Sequence, residues 1–288
     1  MAELRGLPAA KNIQERITER LVEYKKSDDY PGRLPTLGIV RVGNREDDLA
    51  YEKSAVKKID SLGMQVKVFE FAQDISCEEF LKEFKSINDN PDIDGILLFS
   101  PLPKSIDEKK VLKILSPDKD LDGLTLYNQA KLYVGEKDGF VPCTADAVIQ
   151  LLKFAGVELE GKKVAVVGRS PVIGKPVSMM LTAENATVTI CHSKTKDLKG
   201  TCKDSDIVVA ATGRARMIDA DYIGDGAIVI DVGINVDEDG NMCGDVDFEN
   251  VVNKAALVTP VPGGVGSVTT TILASHLLDA AIKGVKER

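Results

Sequence analysis

The chain is short of histidine and cysteine, has no basic excess and contains no long apolar run, and each shortage removes a class of protein. Its two histidines, His192 and His276, are far apart, so a histidine-rich zinc site is not expected and no metal is assigned. The five cysteines, Cys77, Cys143, Cys191, Cys202 and Cys243, include no C-x-x-C pair. An odd, scattered set of this kind reads as reduced thiols and leads us to expect a cytoplasmic protein. Acidic residues outnumber basic ones by 45 to 37, a formal net charge of −8, which weighs against a nucleic-acid partner. The same charge gives no long-range pull on an anionic ligand, so an anion site would have to be built locally. No stretch of about 18 apolar residues suggests a membrane span. The opening run MAELRGLPAAKNIQERI lacks the apolar core of a signal peptide.

What is present is material for an α/β protein. The 288 residues are 43% hydrophobic, enough for a sizeable core in one large domain or two smaller ones. Short β-like runs alternate with amphipathic helical segments. Helical patterns cover Lys11 to Tyr24, Asp47 to Leu62 (stopped by Gly63), Cys77 to Asn88 and Asp107 to Leu115. Between them lie the strand patterns TLGIVRVG, MQVKVFEF and GILLFS, and the break Pro101 to Pro103. This first unit ends near Cys143. A helix with Thr144 as its expected N-cap leads into a second unit with the strands VAVVG, ATVTIC, DIVVAAT, GAIVIDVGI and ALVTPV. The last helix, Thr269 to Lys286, has an apolar face suited to packing back on the first unit.

The run VAVVGRSPVIGKP sets Gly168 after an apolar strand and Gly174 at the start of a helix. Such a turn brings backbone N–H groups at a helix N-terminus toward a pyrophosphate. The spacing is G-x-S-x-x-x-G rather than G-x-G-x-x-G, and an ordinary strand-to-helix turn explains it equally well. The next strand sharpens the reading. Where NAD sites carry an acid on the ribose 2′-hydroxyl, this chain has Cys191-His192-Ser193-Lys194. Arg169 in the preceding turn, with no acid nearby, suits a 2′-phosphate, so NADP is expected over NAD; the bland reading of Arg169 and Lys194 is two solvated charges. Gly213 and Gly233 fall at strand ends where doubly wound folds place ligand loops, or are simple turn residues.

Taken in order, DKDLDG, PCT, VVGRSPVIGKPV, ATVTICHSKT, ADYIGDGAIVIDVGIN, GDVDF and TPVPGGVGSVT make the chain resemble the methylenetetrahydrofolate dehydrogenase/cyclohydrolase family from about Leu7 to the C-terminal helix. The resemblance implies an α/β fold with an N-terminal α/β catalytic domain, a Rossmann-like NAD(P)-binding domain, and a C-terminal helix returning to the first domain. It places the folate-binding domain at residues 1–143 with 268–288, and the NADP-binding domain at residues 144–267. It implies a tetrahydrofolate derivative as substrate and a homodimer. Members oxidise 5,10-methylenetetrahydrofolate to the methenyl cation and hydrate that to 10-formyltetrahydrofolate. Tyr51 matches the tyrosine that stacks on the folate, and Asp122 the aspartate that bonds the pterin. Pro262, Gly263 and Gly264 match a loop that closes on the folate. Gly168, Arg169, Ser170, Ser193 and Ile234 match cofactor contacts. Read without the family, these residues are a half-buried helix tyrosine, a turn aspartate and turn glycines.

The chain departs from the family where water chemistry is done. The family's Y-x-x-x-K becomes Tyr51 to Ala55, its Q-L-P-L-P becomes Phe99-Ser100-Pro101-Leu102-Pro103, its serine upstream of the tyrosine is Asp48, and its GGVGP ends in Ser267. Lys53 and Lys57 are offset from Tyr51 by ~200° and ~240° on a helix, and Lys58 returns to its face about 4.5 Å beyond Ala55. Three readings follow: a dehydrogenase with weak or no cyclohydrolase activity; a full bifunctional enzyme using Lys58 or another group; and a catalytically silent folate- or nucleotide-binding protein.

Overall fold

The computed structural model describes residues 3–286, which divide into two compact units, one of residues 13–141 with 270–286 and the other of residues 3–12 with 142–269. The first is built from α1 (Gly6–Lys26) from residue 13 onward, β1 (Thr36–Val42), α2 (Glu46–Ser61), β2 (Gln65–Phe71), α3 (Cys77–Asp89), β3 (Gly95–Leu98), α4 (Glu108–Ile114) and α5 (Leu126–Val134). Its three strands form a parallel sheet in the order β2-β1-β3. Every residue of β1 is buried, as a central strand covered on both faces requires, whereas no residue of edge strand β2 is buried and Gln65, Lys67, Val68 and Glu70 are exposed. α3 starts at a side-chain N-cap: Ser76 Oγ accepts from the Glu79 amide at 3.2 Å. It contributes Phe80 and Phe84 to a core with Val40, Val42, Ile96 and Leu98.

The second unit runs through α6 (Cys143–Phe154), β4 (Lys163–Val167), α7 (Gly174–Ala183), β5 (Thr187–Cys191), α8 (Leu198–Lys203), β6 (Ile207–Ala210), β7 (Ile228–Asp231), β8 (Asn235–Val236), β9 (Met242–Cys243), α9 (Phe248–Val251) and β10 (Leu257–Val258). Five strands form a parallel sheet in the order β10-β7-β6-β4-β5, and β8 and β9 make a small antiparallel hairpin. The two strands that follow β4 lie on opposite sides of it, so the chain reverses direction across the sheet there. Crevices for ligands open at such a reversal, at the carboxyl ends of the strands. Thr144 does not cap α6: the cap position is Pro142, with no side-chain bond, and Thr144 lies inside the helix. Residues 3–12 belong with this unit because their backbone continues its sheet edge: the Leu4 amide donates to Val258 O and the Gly6 amide to Gly263 O, each at 2.8 Å.

The final helix, α10 (Gly266–Lys286), returns to the first unit from residue 270 onward. His276 Nδ1 bonds the Leu121 carbonyl at 2.8 Å, the Tyr24 hydroxyl donates to Ala281 O at 3.3 Å, and Arg20–Asp279 and Lys283–Asp118 pair in the same unit. Among the described residues no helix is long and apolar enough to cross a membrane.

Phe84 is wholly buried and stacked on Phe80 at 5.9 Å between ring centroids. Phe84→Ala should cost about 3–5 kcal/mol, read as a lowered denaturant midpoint, because the cavity it leaves cannot collapse under a sheet. An unchanged midpoint would show that α3 repacks freely.

Candidate functional site

The turn from β4 into α7 is closed by backbone contacts that only glycine permits. Gly168 has φ +145°, and a Cβ there would lie 2.2 Å from Ala211 O; a Cβ on Gly174 would lie 2.2 Å from Gly168 O. Ser170 is the turn's cap: its Oγ accepts from the Ile173 amide at 3.0 Å and the Gly174 amide at 3.4 Å, and its carbonyl accepts from the Lys175 amide at 3.1 Å. The sequence alone suggests free amides at this helix start. The structure corrects that, because Ser170 occupies them, leaving the positive end of the helix dipole as the feature facing an anion.

Beside this turn, at the ends of β4, β5 and β6, lies a cavity of about 330 Å³. It brings together four of the expected cofactor residues, Gly168, Arg169, Ser170 and Ser193. It adds three that sequence reasoning did not assign: His192, Thr212 and Arg214. Leu198 and Met217 give it an apolar patch, and no aspartate or glutamate lines it. His192 Nδ1 accepts the Lys194 amide at 3.1 Å, which puts the proton of a neutral ring on Nε2. The donor set, two guanidiniums with hydroxyls and an imidazole N–H, fits a phosphorylated nucleotide in an otherwise acidic protein. Gly213 lies between Thr212 and Arg214 with φ +66°, while Ile234 is 67% exposed and outside the cavity lining.

Two buried aspartates hold the loops around this cavity. Asp231, the last residue of β7 and 2% exposed, accepts the amides of Gly233 (2.9 Å), Asp245 (3.0 Å) and Val246 (2.9 Å). Asp245, fully buried, accepts the amides of Thr212, of Gly213 (3.1 Å) and of Arg214 (2.9 Å), and the Asn235 side-chain amide (2.9 Å). Asp231 therefore fixes Asp245, and Asp245 fixes the loop after β6. Burial pushes the Asp231 carboxyl up to about 6 against the pull of its three amide donors. The acids in DVGIN and GDVDF carry this signal, but nothing in the sequence says that they meet.

In the other unit the same device recurs. Asp120, 1% exposed, accepts the amides of Leu124 (2.9 Å) and Thr125 (2.8 Å) and the Asn128 side-chain amide (2.9 Å), fixing the turn that carries half-buried Asp122. Tyr51 on α2 is half-buried and meets Phe99 edge-on at 5.9 Å. Buried Arg41, another residue the sequence did not mark, bridges Glu52 and Glu70 at 3.0 Å each, tying α2 to β2 next to Tyr51. Ala55 is wholly buried and Asp48 is 8% exposed. Lys58 Nζ donates to Gln14 Oε1 on α1 at 3.3 Å, and burial lowers its pKa. Lys53 and Lys57 are exposed. The loop of Pro262, Gly263 and Gly264 lies in the unit with the cavity, with a cis Val261–Pro262 bond and the Gly263 carbonyl accepting from Gly6.

Comparison with known proteins agrees with this architecture. Residues 4–122 match the catalytic domain of tetrahydrofolate dehydrogenase/cyclohydrolase, and residues 142–285 its NAD(P)-binding domain. The chain is 50% identical over 277 residues to the bifunctional protein FolD of Clostridioides difficile (strain 630), covering 96% of this chain and 95% of that protein. It resembles the crystal structure of the bifunctional FolD enzyme of Campylobacter jejuni, with a TM-score of 0.93 and 35% identity over 98% of this chain and 99% of that one. The FolD enzyme of Trypanosoma brucei, solved with NADP cofactor and an inhibitor, aligns with a TM-score of 0.92 and 35% identity over 99% of this chain and 98% of that one.

Two outcomes follow from the aspartates. Asp245→Asn turns an NH₂ group toward amide donors and should lower stability by about 1.5–3 kcal/mol, the worth of charged hydrogen bonds, read by denaturant titration. A loss below about 0.5 kcal/mol would show that the loops stand without it. Asp231 should titrate near pH 6 in the folded protein, read from its carboxyl ¹³C shift and absent in Asp231→Asn. Because its folded pKa is raised, the folded state binds the proton more tightly than the unfolded chain. Its unfavourable contribution to stability is full above about pH 6 and shrinks as pH falls toward the ordinary aspartate range. A midpoint near 4 would mean that the three amides outweigh burial.

Proposed function

This chain belongs to the tetrahydrofolate dehydrogenase/cyclohydrolase family, and on that premise we propose that it oxidises 5,10-methylenetetrahydrofolate to 5,10-methenyltetrahydrofolate with NADP, as a cytoplasmic homodimer with weak or no cyclohydrolase activity. Bound NADP supplies the nicotinamide that accepts the hydride. The protein's part is position and electrostatics. Arg169, Ser193 and the His192 Nε2–H are suited to the phosphorylated ribose, and the glycine turn to close approach of the dinucleotide. Tyr51 would stack on the folate, Asp122 would bond the pterin from a turn braced by Asp120, and the Pro262–Gly264 loop would close on the ligand. Val236 and Met242, exposed on the β8–β9 hairpin, are apolar surface that a second subunit would cover.

The observation that carries the cyclohydrolase reading is the environment of Tyr51. Adding water to the methenyl carbon requires a group that takes a proton from that water. Ala55 has no such group, and Phe99 forms an edge-to-face pair with Tyr51 where the family has an amide. The site is drier and has lost its base at once. Hydride transfer is spared, because alignment matters to it more than a base. The bifunctional reading through Lys58 has one observation in its favour: burial lowers that lysine's pKa, as a base would require. Against it, Lys58 Nζ is engaged by Gln14. The silent-binder reading has nothing to recommend it beside the intact glycine turn and cationic cavity.

A two-step assay tests the proposal. Reduced cofactor should form with methylenetetrahydrofolate, and methenyltetrahydrofolate should then decay at its rate in buffer alone. General acid–base help is worth about 10²–10⁴-fold, so its presence would be plain. Ala55→Lys with Phe99→Gln should raise the decay rate and leave cofactor binding unchanged. Enzyme-dependent decay that vanishes in Lys58→Ala would replace this reading with the bifunctional one.

A further inference from the structure

The cavity at the ends of β4, β5 and β6 contains one more charge than cofactor recognition by Arg169 requires. We infer that Arg214 is a second reader of the ribose 2′-phosphate and shares with Arg169 the choice of NADP over NAD; this rests on the NADP reading above. The two arginines reach the cavity from different walls: Arg169 from the β4–α7 turn, Arg214 from the loop after β6. β4 lies between β5 and β6 in the sheet, so the loops bearing Ser193 and Arg214 flank the turn bearing Arg169. Arg214's backbone is fixed twice, its amide donating to Asp245 Oδ1 at 2.9 Å and to Thr212 Oγ1 at 3.1 Å. A long side chain on a clamped backbone loses less entropy when it engages a ligand.

Charge balance points the same way. Arg216, two residues on, is paired with Asp237 at 3.0 Å. Among the described residues neither Arg169 nor Arg214 has an ion-pair partner, and no acid lines their cavity. Two like charges facing one small cavity repel each other, and in a chain of net charge −8 the surface offers acids enough to have paired them. A phosphate carrying nearly two negative charges relieves that repulsion, and two guanidiniums can bond it in fork geometry. NAD, with a hydroxyl in that place, leaves both unpaired.

The experiment uses the full-length protein and titration calorimetry with adenosine 2′,5′-bisphosphate against adenosine 5′-diphosphate, on wild type, Arg169→Ala, Arg214→Ala and the double variant, with thermal melts as fold controls. Arg214→Ala should weaken the 2′-phosphorylated probe by about tenfold to a hundredfold and the other by less than about twofold. Arg169→Ala alone should leave part of the preference, and the double variant should abolish it. Equal weakening of both probes would make Arg214 a contact to adenine or the 5′-phosphates and overturn the inference, as would no change in either. A wild type with no preference would overturn the NADP reading and this one together. A wild-type preference that survives Arg214→Ala and vanishes in Arg169→Ala would overturn this one alone.

Discussion

Both candidate sites depend on one interaction: a buried carboxylate that accepts several backbone amides from a loop. A loop carries unpaired N–H groups, and burying them costs free energy unless each finds an acceptor. Asp120 satisfies two amides and a side-chain amide with one side chain, and so fixes the turn of Asp122. Asp231 and Asp245 work in series, the first holding the second's backbone and the second holding the loop after β6. The positions of Gly213 and Arg214 follow from that chain of bonds.

The rigidity so obtained has a functional sense. A dehydrogenase that relies on alignment needs loops that hold their shape before ligand arrives, since ordering them on binding would subtract from affinity. Loops are otherwise the mobile part of such folds. Here the strand ends supply direction, and the aspartates remove the freedom that would blur it. Ser170 does the same at the glycine turn, and for that reason its hydroxyl is a structural cap as well as part of the cavity wall.

The surroundings of Tyr51 show a different balance. Arg41 pins α2 through Glu52, so the helix face that carries Tyr51 and Ala55 is set in register with the sheet. Ala55 is wholly buried one helical turn from Tyr51, and Tyr51 meets Phe99 in an edge-to-face pair at 5.9 Å, so neither Ala55 nor Phe99 brings a polar group to Tyr51.

Much of this was legible in the sequence. Hydrophobic periodicity marked the two α/β units, the returning helix and most element boundaries to within a few residues, because those depend on local pattern. Gly168 and Gly174 could be marked as a tight turn, because a glycine turn after an apolar strand constrains its own neighbourhood; that Arg169, Ser170 and Ser193 line one cavity beside it is a matter of the fold. Thr144 was misjudged as a cap, since a threonine one residue inside a helix start looks the same in sequence as one at the cap. The roles of Arg41, Asp120, Asp231, Asp245, His192 and Arg214 could not be read. Each is defined by a partner distant in sequence or by the amides of a loop whose course only the folded chain sets. Short-range pattern was enough for the α/β class, the tight glycine turn and the helix that closes the chain, but not for the grouping of residues 3–12 with the second unit. Which acids are buried, which amides they hold and which charges share a cavity emerge only in the folded chain, because burial and hydrogen bonding are properties of what the fold brings together.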